Sequence, residues 1–161
     1  MRTLGIDYGD SRCGLAITDE LGITAQGLET IYYKGNDKVL LSRLDEIIET
    51  YNISTIVVGM PFSMDGSKTE RARITEGFVH KLKCKYKCRN ALKDCSELVT
   101  QKVREKGSHN NNINIYTMDE RLTTIQAQKT MNELNINKKK KKDLIDTISA
   151  VYILESYINK I

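Results

Sequence analysis

Three short runs of strand-forming residues crowd into the first 33 positions, and they restrict the possible folds more than any other feature of this chain. Thr3 to Asp7, Cys13 to Thr18 and Ile23 to Tyr33 each read as a strand, and glycines at 9, 14 and 22 punctuate them. They predict three successive antiparallel strands, the third with an irregularity at Gly27. The period then changes. Leu40, Leu44, Ile47, Ile48 and Tyr51 recur at helical spacing, which predicts a helix over Asp37 to Tyr51. A buried strand, Thr55 to Gly59, comes next. After it, Ser67 or Thr69 can cap a helix running towards Lys83. Asn114 to Met118 alternates as a strand, Thr123 to Leu134 reads as a helix, and Lys139 to Asn159 as the last one. Strands in sequence followed by alternating helices and strands imply an α/β fold, a mixed five-stranded sheet flanked by helices.

At 161 residues the chain is long enough for one such domain and one core. The stretch from Cys84 to Asn112 reads as a basic helical insertion in it. Leu92, Cys95, Leu98, Val99 and Val103 form a narrow apolar stripe there, and the polar run Gly107 to Asn112 ends it. His80, Cys84 and Cys88 share a helical face, which invites a zinc reading. Residues eight apart on a helix are separated by about 12 Å, too far for all three to reach one ion at roughly 2.1–2.3 Å. The cysteines are expected to be free thiols.

Positive charge is local. Lys81 to Lys106 holds nine Lys or Arg against three acids, and Lys138 to Lys142 is an unbroken basic run, although the whole chain is only +4. Two basic patches on an otherwise acidic body suit a protein that meets phosphates, and equally suit a solvated lysine surface. No apolar run approaches the ~20 residues that a membrane helix needs. The expected location is the cytoplasm.

Three acids stand where chemistry can occur. Asp7 closes the first strand just before glycine, on backbone that a metal or phosphate can approach, a position that also suits a plain turn. Glu120, in Asp119-Glu-Arg-Leu-Thr-Thr124, follows the last strand and leads into a helix. Asp119 can share its role or cap that helix, and Arg121 can hold a phosphate or pair with its acidic neighbours. Asp146 lies in the final helix with Ser149 and Ala150 on its face, small residues that permit close approach; alternatively it favours the helix dipole and faces water. Three converging carboxylates would repel one another without a cation, and Mg2+ or Mn2+ is the hard ion that such oxygens select. Two such ions would support in-line phosphodiester hydrolysis.

Taken together, Arg2-Thr-Leu-Gly-Ile-Asp-Tyr-Gly9, Arg12-Cys-Gly-Leu-Ala16, Leu21-Gly-Ile-Thr-Ala25, Val57-Val-Gly-Met-Pro61 with Asp65-Gly-Ser67, Asp119-Glu-Arg-Leu-Thr-Thr124 and Asp146 in the last helix resemble the YqgF family, also called RuvX. The resemblance spans residues 1 to about 80 and about 113 to 158. It implies a ribonuclease H-like fold, with Asp7, Glu120 and Asp146 as catalytic, metal-binding residues. It also implies a nuclease that matures the 5′ end of pre-16S rRNA during ribosome biogenesis, or a Holliday-junction-resolvase-like enzyme that cuts branched DNA. Arg12, Arg121 and Lys138, Lys139, Lys140, Lys141 and Lys142 are the expected nucleic-acid contacts. Partners are then pre-16S rRNA and pre-ribosomal particles or branched DNA, with the protein a monomer or homodimer. Met60, Ser63 and Ser149 depart from the residues usual in that family, and Cys84 to Asn112 is longer than the usual connection.

Two other classes compete. An ATP-binding fold of the actin and sugar-kinase type also places Asp and Gly after its first strand, yet clamps nucleotide between two domains where this length supplies one. A non-catalytic nucleic-acid-binding module would use the basic patches alone, and would gain no thermal stability from Mn2+.

Overall fold

A computed structural model describes residues 2–62, 69–87, 113–119 and 138–160, with backbone alone for Lys87 and for residues 138–143. Strands β1 (Arg2–Tyr8), β2 (Arg12–Thr18) and β3 (Ala25–Tyr32) precede helix α1 (Asp37–Tyr51), strand β4 (Ile53–Met60), helix α2 (Glu70–Lys87), strand β5 (Asn114–Asp119) and helix α3 (Lys138–Ile158). They form the expected mixed sheet, in the order β3-β2-β1-β4-β5. β1, β2 and β3 pair antiparallel, whereas β4 runs parallel to both β1 and β5. The carboxyl ends of β1, β4 and β5 therefore share one edge.

Local chemistry explains the boundaries. Asp19 accepts hydrogen bonds from the amides of Ile23 (2.7 Å) and Thr24 (3.3 Å), so these two residues close a turn and β3 begins only at Ala25. Leu15 pairs with Glu29 but Ala16 pairs with Gly27, leaving Leu28 as the extra residue of a bulge beside Gly27, where an irregularity was expected. Asn36 caps α1 by accepting from the Lys38 amide, and Asn52 ends it in the left-handed region at φ 53°. Of the two candidate caps for α2, Thr69 caps it, accepting from the Ala72 amide at 3.0 Å while donating to the Pro61 carbonyl at 2.8 Å. α2 continues four residues beyond Lys83, so Cys84 to Lys87 extend this helix. The rest of the expected insertion, residues 88–112, lies outside the described residues, as does the expected helix over Thr123 to Leu134.

Alternation divides the sheet into two faces. Leu4, Ile6, Cys13, Leu15, Ile17, Ile56 and Val58 pack with Leu40, Leu44, Ile47 and Ile48 of α1 and with Phe78, Val79 and Leu82 of α2 in the larger core. The intervening residues Ala16 and Val57 meet Ala150, Ile153 and Leu154 of α3, joined by Met118. This second face carries the functional candidates. Among the described residues no helix is long and apolar enough to cross a membrane.

Candidate active site

Because Leu4, Ile6 and Tyr8 turn towards α1 and α2, the period-two rule sends Gly5 and Asp7 to the α3 face. Gly5 lies beneath Ala150 of that helix, and Asp7 is half-buried one pleat further on, at the carboxyl edge. Directly across the β1–β2 ladder from Asp7 is Gly14. A side chain at Gly14 would collide with the Asp146 carbonyl and stand 3.0 Å from Asp146 Cβ. The absent Cβ lets α3 rest on the strand there. A similar vacancy at Gly27 of β3 admits the Thr147 methyl group, and the Thr147 and Thr30 hydroxyls hydrogen-bond at 3.0 Å. The helix is thereby fixed with Asp146 beside Asp7.

Three side chains, Arg12, Arg71 and Ser149, complete the described part of the site. Burial is the chief cause pushing the Asp7 carboxyl up to about 6, and the negative charge of Asp146 adds to it. Arg71, Arg12 and a hydrogen bond donated by the Ser149 hydroxyl all pull in the opposite direction. Arg12, at the start of β2, forms an ion pair with Asp146, Nε to Oδ2 2.6 Å. Ser149 is 2% exposed and one helical turn beyond Asp146. Arg71 belongs to the first turn of α2, and its Nη2 lies 3.7 Å from where a Gly9 Cβ would be. Cys13 is buried, and burial followed by the charges of Asp7 and Asp146 drives its thiol upward, so it is no nucleophile.

The loop after Asp7 is braced from the other face. Tyr8 stacks on Phe78 with ring centroids 4.1 Å apart, and its hydroxyl donates to Asp37 at 3.3 Å. Lys81 binds the other Asp37 oxygen at 2.5 Å. Tyr33 donates to the Gly9 carbonyl, and the amides of Tyr33 and Lys34 both donate to the Ser11 carbonyl.

Asp7 and Asp146, expected from the sequence to converge, are thus adjacent. β5 ends at Asp119 on the same edge, paired with Met60. Glu120 and Arg121 lie outside the described residues. Lys138 to Lys142 occupy the first turns of α3, and their side chains are likewise not described. His80 and Cys84 touch at 3.7 Å on α2, but no group of three metal-ligating side chains occurs among the described residues. Sequence reasoning missed Arg71 and the donor role of Ser149. A cation in the first turn of α2 opposes the helix dipole, and that anomaly was the available signal for Arg71.

Known proteins resemble this chain over nearly its whole length. The RuvX family model, described as Holliday junction resolvase, matches residues 1–96 and 90–160. A protein of Ruminiclostridium cellulolyticum named "Putative pre-16S rRNA nuclease" is 44% identical over 161 residues, covering 100% of this chain and 96% of its own. A protein of Acetivibrio thermocellus with the same name is 42% identical, covering 99% and 96%. Among solved structures, the fowlpox virus resolvase in complex with Holliday junction DNA aligns with a TM-score of 0.54 at 13% identity, covering 99% of this chain and 98% of its own. Thermus thermophilus RuvC in complex with a Holliday junction substrate gives 0.52 at 13%, covering 99% and 95%. At such identities the structural likeness speaks for the fold, which is the ribonuclease H-like fold of the RuvC-type resolvases. Full-length sequence similarity and the matched family model make this chain a member of the RuvX family.

Proposed function

We propose that this protein is a divalent-metal-dependent nuclease that hydrolyses a phosphodiester bond at the 5′ end of pre-16S rRNA, in the cytoplasm, during ribosome biogenesis. The observation that carries the reading is the pairing of Asp7 with Asp146 at the carboxyl edge of the sheet, maintained by a helix seated on Gly14. Folding places two mutually repelling carboxylates together. That arrangement stores unfavourable charge for which a bound cation would compensate.

The donor set fits a hard ion. Asp7 and Asp146 offer only oxygen, and Glu120 would add a third carboxylate, so Mg2+ or Mn2+ suits the site and soft metals do not. When bound, such an ion would supply Lewis acidity for phosphodiester hydrolysis. The chain's own residues supply the remainder. Ser149 donates a hydrogen bond to the Asp7 carboxylate, Arg12 pairs with Asp146, and Arg12 and Arg71 put positive charge beside Asp7. Lys138 to Lys142, with Arg121, would draw the phosphate backbone without reading its sequence. The names of the full-length relatives favour RNA, while the resolvase-type fold favours branched DNA as the second reading.

Purified protein is to be incubated with a 5′-extended 16S precursor and with a four-way DNA junction, in Mg2+ or Mn2+, with Asp7→Asn as the blank. Trimming of the precursor alone supports the proposal. Cutting of the junction alone would transfer the assignment to DNA, and no Asp7-dependent cutting of either would refute the nuclease reading.

A further inference from the structure

The Arg12–Asp146 ion pair engages one of the two carboxylate oxygens that Asp146 could offer a divalent cation. Its 2.6 Å contact is made at Oδ2, in a position where the Arg12 and Asp146 side chains remain 31% and 19% exposed. Oδ2 itself is buried, while both side chains keep an exposed part. The Asp146 backbone is pressed onto Gly14, which leaves its short side chain only two rotatable bonds with which to turn away. Arg12 can move, because its long side chain reaches Asp146 through several rotatable bonds from the start of β2. Arginine is also suited to the alternative partner. Its guanidinium is always charged, is weakly hydrated and has two N–H edges that match phosphate oxygens.

We propose that Arg12 is an exchangeable counter-ion, which neutralises Asp146 while no metal is held there and passes to a phosphate of the nucleic acid when a divalent cation takes its place. The inference rests on the metal-dependent nuclease reading above. A cation arriving at Asp146 repels the guanidinium and releases it at the place where the metal attracts a phosphate. Conversely, a phosphate that engages Arg12 uncovers Asp146 for metal. Binding of the two ligands is then reciprocally coupled through one side chain. Arg71, whose charge acts on Asp7, supplies the comparison. A support role for Arg12, merely holding Asp146 in its rotamer, makes the opposite prediction for metal affinity.

The test is a Mn2+ titration followed by the electron paramagnetic resonance of free Mn2+, on the full chain, for wild type, Arg12→Gln, Arg12→Lys and Arg71→Gln. It is paired with fluorescence anisotropy of a labelled 5′-extended precursor RNA in Ca2+. Exchange predicts that Arg12→Gln binds Mn2+ about three- to tenfold more tightly without RNA, and that the Ca2+-loaded variant binds RNA several-fold more weakly. Arg71→Gln should tighten Mn2+ by a smaller factor. Arg12→Lys, which keeps the charge but loses the fork, should fall between wild type and Arg12→Gln in both assays. Weaker or unchanged Mn2+ binding by Arg12→Gln overturns the exchange, and so does an equal gain in Arg71→Gln, which would reveal only a general field. Wild-type protein that binds no Mn2+ would instead overturn the metal-dependent reading beneath it.

Discussion

Gly14 and Asp146 meet backbone to backbone: the helix carbonyl of Asp146 fills the space that any side chain at position 14 would require. Gly14 is also the cross-strand partner of Asp7. One glycine thus sets the separation of the two acids, since it fixes the height of α3 above the sheet at the site.

Gly14→Ala should therefore damage the site beyond its cost in stability. Forcing a methyl into this contact must lift α3 or bend β2, at about 1–3 kcal/mol for an overpacked position. Thermal melting should show a folded but weakened protein, and Mn2+ stabilisation of that variant should be mostly lost. Wild-type metal stabilisation in a folded Gly14→Ala protein would show that the acids do not depend on this contact.

Asp7 predicts an unusual pH dependence. Its carboxyl is raised from 3.8 to about 6, so the folded protein holds that proton more firmly than the unfolded chain does. Its contribution to metal-free stability is present below about pH 4 and declines as pH rises towards 6. Asp7→Asn removes the decline. At pH 7 without divalent ions the variant should melt above wild type, by roughly 2–4 °C for each kcal/mol recovered. Saturating Mn2+ should reverse the order. A metal-free Asp7→Asn protein that melts below wild type at pH 7 would mean that Asp7 stabilises the fold.

Ser149 should position Asp7 without being needed for folding. Ser149→Ala removes a buried hydrogen bond worth about 1 kcal/mol and a donor that favours the charged carboxylate. The pH midpoint of Mn2+ binding should consequently move upward, with little change in affinity at high pH. An unmoved midpoint would leave Ser149 only a packing role.

The sheet was legible in the sequence because its signals are local. The glycine-punctuated strands, the α1 stripe of Leu40, Leu44, Ile47 and Ile48, and the residues flanking Gly27 all lie within a few positions of what they determine. The acids Asp7 and Asp146 were legible as well, through an exposed strand end and small neighbours on one helix face. Arg71 was not, since its approach to Asp7 depends on where Thr69 and Pro61 anchor the start of α2. The direction of the Ser149 hydroxyl and the pairing of Arg12 with Asp146 likewise arise only when α3 docks across the sheet. Strand and helix ends shifted by a few residues where a side chain competed with the ladder, as Asp19 does at the start of β3.

The central claim is that Asp146, and not its neighbour three positions earlier, completes the site with Asp7. Metal-dependent cleavage and RNA binding of Asp146→Asn and Asp143→Asn, measured side by side, test it most directly. Asp146→Asn keeps the shape and removes the charge, so cleavage should be abolished while RNA binding stays intact or tightens. Asp143→Asn, in the basic first turns of α3, should keep most of its activity and lose at most about 1 kcal/mol of stability. Near wild-type cutting by Asp146→Asn, or loss of cutting in Asp143→Asn alone, would contradict the assignment.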